Sequence, residues 1–283
     1  MLYAIGPATA AIKSIPRGTK PRGITVWPQA LFARPHGEHT LIYNQQPPVN
    51  GFSQVDHTGA PRPSREIPPY RSAARPMPAG GVVAAFDFDG TITTSDSLTD
   101  FIRYVVGSAG LIRGAIWATP WLVGMLIGNC DRGTAKAHFL AATVRTLTQR
   151  ELEDAAQQYA SQRLMTLIRP EMAARIQENK RLGHRLVLVS ASPALYLRFW
   201  AERMGFDAVL ATELEFRNDR FSGHLALPNC WGPEKVRRLQ QWFGADRPRV
   251  LFAYGDSRGD SEMLALADRG WLRGQGAIPP IDG

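Results

Sequence analysis

The stretch from Val82 to Thr94, VVAAFDFDGTITT, limits what this 283-residue chain can fold into more than any other. A short unbroken apolar run that ends in turn-forming residues reads as a strand buried on both faces of a parallel sheet. Its carboxyl end carries Asp87 and Asp89, one residue apart, followed by Gly90 and Thr91. Functional groups gather beyond the carboxyl ends of such strands. A glycine there lets the backbone bend, so that neighbouring side chains need not alternate. Taken alone, the pattern equally fits a solvated Asp-Gly turn. The rest of the chain decides between the two.

From Pro170 onward, helix and strand signals alternate. Pro170 to Leu182 has proline at its start and Gly183 beyond its end, the usual asymmetry of a helix. Arg185 to Ser190, RLVLVS, is a buried strand, and a helix follows to Met204. Ala208 to Ala211 is a short strand, and Leu214 to Leu225 forms a hairpin turning at Asn218-Asp219. Pro233 to Phe243 is helical, Arg249 to Tyr254 a strand, and Ser261 to Ala267 a helix. This alternation predicts an α/β fold, a parallel sheet flanked by helices.

Residues 95–167 read as an all-helical insertion after the first strand. Ser95 or Asp96 caps a helix through Val106, and an apolar segment runs from Leu111 to Gly128. Helical patterns also cover Asp131 to Thr146 and Thr148 to Leu167, the latter opening on a capping box, Thr148-Gln149-Arg150-Glu151. Arg113 and Pro120 leave the uncharged part of the apolar segment short of the roughly 20 residues a membrane span needs. The segment is therefore expected to be buried in the insertion or to lie at an interface. Trp117 and Trp121, four apart, are expected to pack.

The formal net charge of +8 invites a nucleic-acid reading. Its location argues otherwise, because nine Lys and Arg face three acids before Gly81, and the remainder of the chain is nearly neutral. No nucleic-acid partner is expected for the folded region. Residues 1–80 hold 13 of the 21 prolines without a helical or strand period, the composition of a disordered extension. Met77 is an alternative start for the folded part. Two distant cysteines, Cys130 and Cys230, suggest neither a disulfide framework nor a zinc site, and no secretory signal opens the sequence, so a cytoplasmic setting is expected.

Three predicted strands end in polar groups, at Asp87 to Thr91, Ser190 to Ser192 and Asp256 to Asp260. Loops beyond the carboxyl ends of a parallel sheet share one crevice. Asp87, Asp89, Asp256 and Asp260 would meet there, which is tolerable only with a divalent cation or a lysine to neutralise them. Hard oxygen donors without His or Cys favour Mg²⁺, and Lys235 is a candidate counter-charge.

DFDGT at 87–91, Ser190 at the end of a hydrophobic strand, Lys235 in GPEK, and GDSRGDSEML at 255–264 together resemble, in order, the four motifs of the haloacid dehalogenase superfamily. The helical insertion resembles the C1-type cap of its phosphoserine-phosphatase-like subgroup, family IB. The resemblance implies a Rossmann-like core over 81–94 and 168–283 with a cap at 95–167. It also implies a phosphatase in which Asp87 is the nucleophile and Asp89 the general acid and base. Mg²⁺ would be held by Asp87, the main-chain carbonyl of Asp89, and Asp256. Thr91, Ser190, the Ala191 amide and Lys235 would hold the phosphate, with Gly90 and Asp260 in support.

For the substrate, Asp96 stands where phosphoserine phosphatases carry a glutamate, and is a specificity candidate. The apolar cap segment is similar to that of phosphatidylglycerophosphatase C-like members. Small-molecule and lipid phosphates both remain open, and a lipid would imply peripheral membrane contact through the cap. A phosphotransferase of the same fold, or a non-catalytic metal-stabilised binding protein with a basic tail, are the alternatives.

Overall fold

The computed structural model describes residues 80–281, which belong to one compact unit. The expectations for residues 1–79 lie outside the described residues. A five-stranded parallel sheet runs in the order β3-β2-β1-β6-β7. Its strands are β1 (Val82–Phe86), β2 (Arg185–Pro193), β3 (Ala208–Thr212), β6 (Val250–Gly255) and β7 (Arg269–Leu272). The chain builds outward from β1 to one side and then returns to the other, so the strand order switches beside β1. A crevice opens there, at the carboxyl ends.

Alternation along β1 explains why it is central. Val83 and Ala85 face one layer, with Val187, Val189, Leu251, Leu239 and Met263, whereas Ala84 and Phe86 face the other. The first layer is closed by α6 (Pro233–Phe243) and α7 (Ser261–Leu266). The second is closed by α4 (Pro170–Arg181) and α5 (Ala194–Met204) and continues into the insertion.

That insertion comprises α1 (Ser97–Leu126), α2 (Arg132–Val144) and α3 (Gln149–Gln162). The expected break after Val106 is present at Gly107 (φ 71, ψ 174), after which the same helix resumes. The Thr148–Glu151 capping box forms. Phe101, Tyr159 and Tyr196 pack ring against ring, joining α1 and α3 to α5 in one continuous apolar core. The hairpin of β4 (Leu214–Arg217) and β5 (Arg220–Leu225) turns at Asn218 and Asp219, both at positive φ, and is tied to the start of α3 by Gln149 N donating to Asp219 O at 2.8 Å.

Two expectations for the apolar cap segment are corrected. It is not buried: Ile112, Ile116, Val123, Leu126 and Ile127 are exposed, because α2 covers only the side of α1 that carries Gly110, Gly114 and Ala118. Trp117 is exposed rather than packed, while Trp121 stacks on His138 of α2 at 3.8 Å between centroids. The strand β7 is a further difference, a short edge strand with no alternating pattern to announce it.

A Cβ at Gly114 would lie 2.1 Å from Thr143 Cγ2 on α2. Gly114→Val is therefore expected to push the two helices apart and destabilise the protein by about 1–3 kcal/mol, read as a lower urea midpoint with an unchanged slope.

Candidate active site

Asp87 follows β1 directly, and its amide donates to Tyr254 O of β6 at 2.9 Å, which holds it at the strand tip. The chain then turns at Gly90 (φ 77). Lys235, in the first turn of α6, reaches between two carboxylates, donating to Asp87 Oδ1 at 2.5 Å and Asp260 Oδ1 at 2.6 Å. Burial works against the ammonium, but Asp87 and Asp260 more than offset it and raise its pKa. On Asp87 burial is the larger influence: helped by the charge of Asp260 and opposed by Lys235, it pushes the carboxyl up to about 7.

The second oxygen of Asp260 accepts from Asp256 N and Ser257 N, each at 3.1 Å, so this carboxylate shapes the loop after β6. Carboxylate oxygens of Asp87, Asp256 and Asp260 lie within 4.8 Å of one another. Three buried or half-buried carboxylates around a single ammonium leave negative charge uncompensated, and burial pushes Asp256 up as well. Such an all-oxygen donor set fits a hard divalent cation such as Mg²⁺.

Asp89 points away from this cluster. It accepts from Ser97 N at 2.7 Å, the first amide of α1, and from the Ser192 hydroxyl. Burial, then the charge of Asp96, raise it to about 6 against these hydrogen bonds. β2 runs on past the expected end at Ser190 to Pro193, with an irregular register over the last residues; Ser190 is buried there, and its hydroxyl accepts from Ser192 N at 3.0 Å, fixing the stretch that carries the Ala191 amide.

Above these groups lies a cavity of about 710 Å³. Asp87, Asp89, Ser190, Ala191, Lys235 and Asp260 form its polar floor, and Leu111, Ile112, Leu122, Met125 and Phe139 of the cap form an apolar wall. Thr91 does not line it; its hydroxyl donates to Asp87 Oδ2 at 2.8 Å, so it orients Asp87. Gly90 and Asp256 also lie outside the lining. Asp96 does line the cavity, yet its Oδ1 is occupied by the helix cap, accepting from Thr99 N at 2.7 Å.

Lys136 escaped the sequence reading. From α2 it enters the cavity and donates to Ala191 O and, at 2.8 Å, to Asn229 Oδ1, which also accepts from Thr212 Oγ1 at 3.0 Å. Burial lowers its pKa to about 8, with Asp89 and Asp96 opposing. Ser97, Ser192 and Asn229 were missed with it. Their only signal was position, Ser97 opening a helix and Ser192 two residues past Ser190.

The profile of the haloacid dehalogenase-like hydrolases matches residues 84–265, and the chain belongs to that family. Among curated relatives, Protein CicA of Caulobacter vibrioides, in two strains, is 36% identical over 205 residues, covering 70% of this chain and 90% of the relative. The Inhibition of morphological differentiation protein of Streptomyces azureus is 27% identical over 193 residues, covering 66% and 69%. A protein of unknown function from Bordetella pertussis Tohama I superimposes with a TM-score of 0.56 at 17% identity, covering 67% of this chain and 88% of that one. A probable phosphoserine phosphatase from Vibrio cholerae gives 0.51 at 15% identity, covering 70% and 58%. At such identities the likeness is one of fold.

Lys136→Met keeps most of the side chain's bulk and removes its charge. Hydrolytic kcat/KM is expected to fall about tenfold or more, since a buried cation is lost from the cavity, while the thermal midpoint stays near wild type. A loss confined to the midpoint would make Lys136 a purely structural residue.

Proposed function

We infer that the protein is a Mg²⁺-dependent phosphomonoesterase working through an aspartyl phosphate on Asp87. The observation that carries this reading is the placement of Asp87 on the cavity floor, with Lys235 on one oxygen, Thr91 on the other, and Asp89 beside it on the cavity side. In the first step a carboxylate oxygen of Asp87 forms a bond to phosphorus as the ester P–O bond breaks. Asp89 gives its proton to the departing oxygen. In the second step Asp89 takes a proton from the water that attacks phosphorus, inorganic phosphate leaves, and Asp87 is restored. Dividing hydrolysis this way replaces one difficult displacement with two easier ones.

The Ser190 hydroxyl, the Ala191 amide and Lys235 hold the transferring oxygens. Asp260 keeps Lys235 charged and aimed. Asp87, the main-chain carbonyl of Asp89, and Asp256 would hold Mg²⁺, which when bound would neutralise charge so that an anionic nucleophile can meet an anionic phosphoryl group. The apolar wall favours an ester with an apolar leaving group.

Asp87→Asn is expected to fold normally and lose at least about a thousandfold in kcat on para-nitrophenyl phosphate. Wild-type enzyme quenched in acid during turnover should carry a phosphoryl group on the peptide containing Asp87. Undiminished turnover by Asp87→Asn would sink the nucleophile assignment. Separately, chelation with EDTA should abolish turnover and added Mg²⁺ restore it; full activity in chelator would remove the metal from the mechanism.

A further inference from the structure

Apart from Ile112, which also walls the cavity, the outer face of α1 takes no part in the site described above. Ile112, Ile116, Val123, Leu126 and Ile127 recur at helical spacing and form one stripe. Ile116 is 66% exposed, Leu126 79% and Ile127 65%, and Trp117 beside them is 70% exposed. From Ile112 to Leu126 the stripe runs about 21 Å at a rise of about 1.5 Å per residue. A contiguous apolar surface of this kind marks an interaction site.

Three observations point to its partner. Between Tyr104 and Cys130 the one charged residue is Arg113, which is exposed, so no carboxylate of this segment opposes an anionic surface. Arg103, also exposed, stands beyond the amino-terminal end of the stripe. Next, α1 is long and apolar enough to cross a membrane, but its other face is taken. Gly110, Gly114 and Ala118 are buried, with Gly114 in close approach to α2, and Leu111 and Leu122 wall the cavity. Crossing would strip those contacts, whereas lying flat keeps them. Finally, Ile112 belongs both to the stripe and to the cavity wall. An acyl chain can follow one helix surface from the stripe to the polar floor without entering water.

We propose that α1 docks flat in the headgroup region of an anionic lipid bilayer, and that the cavity takes a phosphomonoester whose apolar part stays in that layer. The substrate half of this inference rests on the phosphatase reading; the docking half stands apart from it.

The test uses the full chain and vesicles of phosphatidylcholine with phosphatidylglycerol, with or without phosphatidic acid as the embedded monoester. Wild type should float with both kinds of vesicle. The double variant Ile116→Glu/Leu126→Glu, at two exposed positions outside the cavity, should float about tenfold less or worse. It should hydrolyse soluble para-nitrophenyl phosphate as wild type does, which also reports on folding, and release phosphate from vesicle phosphatidic acid about tenfold more slowly. Ile116→Ser/Leu126→Ser should fall between the two. Wild type that does not float, or a Glu variant that floats equally, overturns the docking. So does a Glu variant whose only change is loss of an oligomer by light scattering, since the stripe then belongs to a second copy. Vesicle binding without turnover of either ester overturns the phosphatase reading and leaves docking supported, whereas turnover of the soluble ester without vesicle binding does the reverse.

Discussion

One ammonium buried between two carboxylates organises the catalytic end of the sheet. Desolvating a lysine is tolerable only with close, well-aligned partners, and Lys235 has them in Asp87 and Asp260. Each partner belongs to a different strand tip, so the same charge ties the loops after β1 and β6 to the start of α6. Three residues on, Arg238 is buried too, donating to Ala211 O at the end of β3 and to Pro228 O at 2.6 Å. Two cations on one face of a short helix thus pin the carboxyl ends of the sheet from β3 across to β6. The acidic cluster beside them inherits its shape from this arrangement.

Asp89 is held differently, and the contrast bears on how the site works. Its carboxylate is gripped by Ser97 at the opening of α1, and Ser97 is in turn fixed by Tyr159 donating to its carbonyl at 3.1 Å and by Tyr196 at its hydroxyl at 2.9 Å. Tyr159 also donates to Asp100, which is paired with Arg163 of the insertion at 3.0 Å. The carboxylate of Asp87 is therefore held from the sheet and α6, that of Asp89 by the first amide of the cap together with Ser192 of β2, and Lys136 adds a second tie from cap to floor. An apolar core shared by α1, α3 and α5 makes the two parts one body.

What could be read from the sequence follows from where its signals are local. A strand that ends in carboxylates or serine announces itself within a few residues, which is why Asp87, Ser190 and Asp256 were legible and their convergence followed from parallel topology. Lys235 could be offered as a counter-charge to the converging carboxylates, but a helix-start lysine is ordinarily solvated, so its phosphate-binding role came only from the resemblance. Lys136 could not be found at all: its importance depends on how α2 crosses over the loop after β2, a tertiary fact with no trace in its neighbours. The same holds for Thr91, whose hydroxyl turned out to serve Asp87 rather than face the cavity. Of the two expectations for the segment after Leu111, burial failed and the interface stayed open, because an apolar helix looks alike whether its outer face meets protein or nothing. β7 is four residues long at a sheet edge, too short to display a period.

Gly90 carries one more consequence. A Cβ there would stand 2.0 Å from Asp256 Oδ2, inside the space the carboxylate already fills. The Asp256 carboxylate therefore lies directly against the Gly90 main chain, in space that a side chain at 90 would need. On that side the acidic cluster is walled by peptide rather than by any side chain that could swing aside. Any residue larger than glycine at position 90 would therefore displace Asp256 from the acidic cluster.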